Sequence, residues 1–142
     1  MIEVGVPSPK EALFTFEVPR RLWMSSNRLL QVRHMAALRR ELNTMAQLSG
    51  RMLKGKIHTP SDLTVWVCNP QNRRFDPANA YPTVKPLIDG LVAAGVLEDD
   101  SWRELPATVF RKGAPTRKRG VYKVRLLFTP AVRVEEPTGG GQ

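Results

Sequence analysis

Asp62-Leu63-Thr64-Val65-Trp66-Val67-Cys68-Asn69-Pro70 is the stretch from which the fold is read. Leu63, Val65 and Val67 face one way and Thr64, Trp66 and Cys68 the other, the two-residue period of a strand. Asn69-Pro70 stops it. A loop of about a dozen residues follows, and long loops in compact domains are often functional. Thr83 then reads as the cap of a helix with Pro86 in its first turn. Val84, Leu87, Ile88, Leu91 and Val92 form one apolar stripe of that helix, and Gly95 ends it.

The pattern extends outward on both sides. Upstream, Leu13, Phe16 and Val18 mark a strand closed by Pro19, after a loose lead-in over residues 1–10. A polar, basic loop from Arg20 to Arg33 holds Trp23. From Val32 to about Leu53, Met35, Leu38, Leu42, Met45 and Met52 fall on helical spacing, as a core stripe or a homodimer surface. Downstream, Trp102–Arg111 and Val121–Phe128 read as two strands joined by a basic turn, with Trp66 and Trp102 in or at the edge of the core. Residues 131–142 are expected to form a disordered tail. The order strand, helix, strand, helix, strand, strand predicts a single α+β domain over residues 11–130, a small mixed β-sheet packed against two main helices.

Bulk composition narrows the function. The 142 residues carry a formal charge of +9, with 42% hydrophobic and 25% charged residues. One domain of this size buries a real core. The sequence pI near 10.4 favours polyanionic partners. No apolar run approaches the roughly 20 residues that span a bilayer, so no membrane partner is expected. No signal peptide is visible, and with a single cysteine, Cys68, a reducing, cytoplasmic setting is expected. His34 and His58 lack zinc-ligand spacing. No pattern supports a serine or cysteine nucleophile or a Gly-rich phosphate loop, so no small-molecule cofactor is expected.

The chemistry gathers between Arg73 and Asp100. Carboxylates lie at both ends of the second helix: Asp76 before it, and Glu98, Asp99 and Asp100 after it. Carboxylate oxygens suit Mg²⁺. If the flanking strands are neighbours, Asp76 and Asp100 project from one end of the sheet. The alternative is a solvated acidic turn. Lys85 and Asp89, four apart on the helix, are either a surface ion pair or a lysine facing a scissile phosphate. Basic residues surround this region: Arg73, Arg74, Arg111, Lys112, Arg117, Lys118 and Arg119, with Arg28 in the loop near Trp23. Together they point to phosphate contact. No helix-turn-helix, zinc finger or aromatic RNA-binding signature is present, so backbone shape is what such a protein would read.

Arg73-Arg74-Phe75-Asp76-Pro77-Ala78-Asn79, Pro82-Thr83-Val84-Lys85, Asp89-Gly90-Leu91 and Ala94-Gly95-Val96-Leu97-Glu98-Asp99-Asp100 resemble, in that order, the motifs of the RusA family of Holliday-junction resolvases. The loop before the lysine is longer than in the best-known members and matches phage and actinobacterial ones. Ser26-Asn27-Arg28 resembles the family's N-terminal loop. The resemblance spans about residues 12–130, and its specific part is 73–100. It implies a RusA-like fold and a Mg²⁺-dependent endodeoxyribonuclease, with Mn²⁺ as a substitute, that nicks four-way DNA junctions as a homodimer. Asp76 and Asp100 would be metal ligands assisted by Asp99. Lys85 would contact the phosphate, and Asn79 would hold the loop or a metal-bound water. Where many members place a second aspartate this chain has Ala78, and Asp89, Glu98 or Asp99 would have to compensate. A binding protein silenced at Ala78, or a basic RNA-associated protein, are the competing expectations.

Overall fold

The structure, a computed structural model, describes residues 2–27 and 31–139. Among the described residues, five strands form one mixed sheet: β1 (Ile2–Gly5), β2 (Ala12–Pro19), β3 (Ser61–Cys68), β4 (Ala107–Lys112) and β5 (Val121–Pro130), in the spatial order β1-β2-β5-β3-β4. Helix α1 (Val32–Gly50) links β2 to β3, and α2 (Tyr81–Ala93) links β3 to β4. Only β3 and β4 pair in parallel, and α2 is the crossover that such a pair requires. This is the expected small α+β domain.

Two-residue periodicity decides which face of the sheet is covered. Phe14, Phe16, Val18, Leu63, Val65, Val67, Val124, Leu126 and Phe128 are buried, and they share one core with Leu38, Leu42 and Ala46 of α1 and Val84, Leu87 and Leu91 of α2. Both helices therefore lie on the same face. Phe14 meets Phe128 edge to face across β2 and β5, with centroids 6.0 Å apart.

Four local expectations are corrected. The segment read as a loose lead-in contributes β1, an edge strand in register Ile2 to Phe16 and Val4 to Phe14; its four residues are too few for periodicity to stand out. Trp102 is not in a strand. Ser101–Leu105 form a hydrogen-bonded turn in which Leu105 N–H reaches the Ser101 carbonyl at 2.8 Å, and Trp102 is 76% exposed. Helix α1 ends at Gly50, so Met52 leaves the stripe and stands 58% exposed. Thr83 does not cap α2, which starts two residues earlier at Tyr81. Thr83 is buried, and its Oγ1 accepts from Met24 N–H at 2.8 Å and donates to the Met24 carbonyl at 2.7 Å. Pro86 accordingly lies inside the helix, beyond the first turn. Residues 131–139 hold no helix or strand.

The helices approach closely at Gly90. A Cβ there would stand 2.4 Å from the Asn43 carbonyl oxygen and 2.6 Å from Ala46 Cβ. Gly95, at φ +81°, supplies the left-handed turn that ends α2. Gly90→Ala is expected to push α1 and α2 apart and to cost about 1–3 kcal/mol, as overpacking in a filled core does. Denaturant unfolding of the variant measures it, and an unchanged midpoint would contradict the close approach.

Candidate functional site

Three charged side chains meet on the exposed flank of α2. The Val84, Leu87, Ile88 and Leu91 stripe faces the core, which turns Lys85 and Asp89, one helical turn apart, to the rim. Lys85 Nζ donates to Asp89 Oδ1 at 2.7 Å and also to Asp100 Oδ2, from the loop after the helix. One ammonium thus joins two carboxylates from two segments. All three side chains are partly exposed, at 39%, 46% and 27% respectively. Burial by itself would lower the Lys85 pKa. The hydrogen bonds to Asp100 and Asp89 outweigh it and hold the group well above its ordinary value. Lys85 is therefore a cation at every physiological pH.

The rest of the acid series is arranged differently from expectation. Asp99 Oδ1 accepts the Asp100 N–H at 2.8 Å, and Glu98 is exposed. Asp76 stands at the head of a single 3₁₀ turn, Pro77–Ala80, that leads into α2; its Oδ1 accepts the Ala78 N–H at 3.0 Å. The strands flanking α2 are neighbours, but their parallel pairing sends the end of β3 and the start of β4 to opposite ends of the sheet. Adjacency of the strands therefore does not bring Asp76 and Asp100 together, and it is Lys85 that draws Asp100 onto the helix. Among the described residues no group of three or more His, Cys, Asp or Glu side chains gathers as a metal site, so Asp76, Asp99 and Asp100 do not form a preassembled triad.

Arg73, Arg74, Arg117 and Arg119 lie apart from Arg111. Arg73 and Arg74 line a cleft of about 440 Å³ together with Arg20, Trp23, Asp76 and Asn79. Next to it, Arg73 and Arg20 share a second concavity with Arg117 and Arg119. The basic turn is fastened to the end of β3, with Thr116 N–H on the Asn69 carbonyl at 2.8 Å and Arg117 N–H on that of Pro70 at 3.0 Å. These bonds hold Arg117 at φ +56°, a conformation that a non-glycine residue adopts only when its surroundings impose it. Lys118 pairs with Glu17, and Lys112 donates to Asn72 Oδ1 at 2.9 Å. Arg111 lies elsewhere, on the face of the sheet that the helices leave open, over the Trp66 ring. Arg28 is outside the described residues.

Trp23 anchors its loop to the sheet. It stacks on Tyr122 with centroids 4.2 Å apart. The Asn79 carbonyl holds the same loop by accepting the Ser26 N–H at 2.9 Å. The sequence reading did not single out Arg20 or Tyr122 as cleft residues. Arg20 belongs to an Arg-Arg pair that was visible as charge alone. Tyr122 reaches the cleft only through the pairing of β5 with β2, which single-sequence periodicity does not specify.

No helix among the described residues is long and apolar enough to cross a membrane. No protein-family model matches the chain, and a search of curated proteins finds no significant match.

Lys85→Met would leave Asp89 and Asp100 side by side without their cation. After allowance for solvent screening the expected loss of stability is about 1 kcal/mol at neutral pH. The folded-state pKa of Lys85 is raised, so its contribution is fully present below the unfolded value of about 10.4 and is lost as pH rises through the folded one. The difference in stability between wild type and variant should begin to shrink only above about pH 10. Shrinkage on going from pH 6 to pH 9 would contradict the bridge.

Proposed function

We propose that this protein is a RusA-like endodeoxyribonuclease, dependent on a divalent metal, that resolves four-way DNA junctions by paired nicks as a homodimer. The observation that supports it most is the Lys85 bridge, which joins the motif helix to the Asp-Asp loop that follows it. Two carboxylates already converge there on one positive charge. Mg²⁺ is held by one or two carboxylates with water filling the other positions. Asp89 and Asp100, the two carboxylates that meet at Lys85, would hold such an ion, with water completing its coordination. When bound, it would supply the positive charge that polarises a phosphodiester and activates water.

The remaining roles belong to the chain itself. Lys85, permanently cationic, hydrogen-bonds a phosphate oxygen and steadies the charge that develops there. Arg20, Arg73, Arg74, Arg117 and Arg119 line concave surfaces and hold the DNA backbone. Backbone contacts of this kind select by shape, which suits a branched substrate. Asn79 keeps the Trp23 loop against the head of α2 through its carbonyl. A junction with near two-fold symmetry suits a C2 dimer with two identical sites.

A second reading, binding without cleavage, is favoured by Ala78. Its N–H is engaged by Asp76, but its methyl group offers no oxygen where an aspartate would. Labelled four-way junctions with Mg²⁺ or EDTA separate the two. Symmetric nicks that need Mg²⁺ are expected, and Asp100→Asn should lower their rate by at least about a hundredfold. Cleavage that persists in EDTA, or an unimpaired Asp100→Asn variant, would defeat the nuclease reading at this site. A junction bound but uncut, with cleavage appearing in Ala78→Asp, would establish the binding-only reading.

A further inference from the structure

The face of the sheet opposite the helices carries a row of residues that the nuclease reading does not use. Cross-strand register places Thr15, Arg125, Trp66 and Arg111 side by side on neighbouring strands β2, β5, β3 and β4. Trp66 therefore has an arginine on each side. Arg111 stands 5.9 Å from its ring centroid, and Arg125 Nε donates to Thr15 Oγ1 at 3.4 Å. Toward one end of the strands, the next row on this face contains Lys123 beside Cys68. Toward the other end lies an uncharged row: Leu13, Leu127, Thr64 and Val109. A concavity of about 580 Å³ opens among Trp66, Cys68, Lys112, Lys123 and Arg125. Its rim approaches closely at Gly113, where a Cβ would stand 2.5 Å from Cys68 Sγ.

We infer that this open face is a binding platform for single-stranded nucleic acid. A half-buried indole on an interior strand of the sheet offers a π-surface to an unpaired base, and flanking cations reach the phosphates on either side. The guanidinium of Arg111 over the ring adds a cation–π contact. Duplex DNA hides its base faces and cannot use such a ring. A second copy of this chain is a poorer occupant, because two-fold pairing would set Arg111, Lys123 and Arg125 against like charges. Of the acids on this face, Glu3 stands at the β1 edge of the same row, across Thr15 from Arg125 and with two strands between it and Trp66, Glu17 is tied to Lys118, and Asp62 accepts the Val132 N–H. The platform lies across the sheet from α2, so it does not rest on the nuclease reading.

The test is fluorescence anisotropy of labelled oligothymidylate, oligouridylate and a duplex of equal length with the full chain, in EDTA so that cleavage plays no part. Wild type is expected to prefer the single strands. Trp66→Ala should weaken them about tenfold or more, Trp66→Phe should keep most of the affinity, and Arg125→Glu should weaken them and flatten the salt dependence. Circular dichroism and thermal unfolding check that each variant folds, and Arg125→Glu tests the idea even if Trp66→Ala does not. Binding of either oligomer with this pattern supports the platform, and any preference between them names DNA or RNA as the strand. Equal affinity of all folded variants would overturn it. So would a dimer, seen by sedimentation, that Arg125→Glu or Trp66→Ala dissociates, since a second copy would then cover the face. Because no metal is involved, its failure would leave the junction-cleavage result untouched.

Discussion

The close passage of α2 over α1 at Gly90 is the constraint on which the rest depends. Only a residue without a side chain lets the Asn43 carbonyl and the Ala46 methyl group approach so near. That contact fixes the rotation of α2 about its own axis. With Leu87 and Leu91 held in the core, the 100° steps of a helix carry Lys85 and Asp89 to the outer flank. The loop after Gly95 then delivers Asp100 to the same lysine. The packing of two helices thus sets where the charges meet.

Thr83 makes a second connection of the same kind. Buried on α2, it satisfies both backbone groups of Met24 and so ties the basic loop to the motif helix. Trp23 stacked on Tyr122 secures that loop to the sheet. The arginine cleft and the Lys85 cluster are therefore connected through α2. In a chain of formal charge +9 the positive side chains are not spread evenly. Some line concavities at the end of β3, and others stand on the open face of the sheet.

Much of this was legible in the sequence, and the exceptions have physical causes. The alternation through Leu63, Val65 and Val67 and the stripe through Val84, Leu87 and Leu91 each specify a buried face by themselves, and both elements are present. The Lys85–Asp89 pair follows from helical spacing. Asp100 joining it does not, because that contact depends on the path of a loop. The direction of β4 was not legible either. Periodicity says that a strand exists but not whether it runs parallel to its neighbour, and that direction decides where Asp76 stands relative to Asp100. Thr83 shows how burial overrides local propensity: a good capping residue is used instead to bond a distant backbone. Trp102 shows the converse: size and aromaticity point to the core, yet the side chain, beside Asp-Asp-Ser, stands in solvent.

The proposed function requires Asp89 and Asp100, which meet at Lys85 in the structure, to bind a divalent cation. Titration of the protein with Mn²⁺, followed by the loss of the free-ion electron paramagnetic resonance signal, tests it without relying on cleavage. The account predicts saturable binding that Asp100→Asn abolishes and that Lys85→Met preserves or strengthens. Binding that is unchanged in Asp100→Asn, or no binding by the wild type, would contradict it.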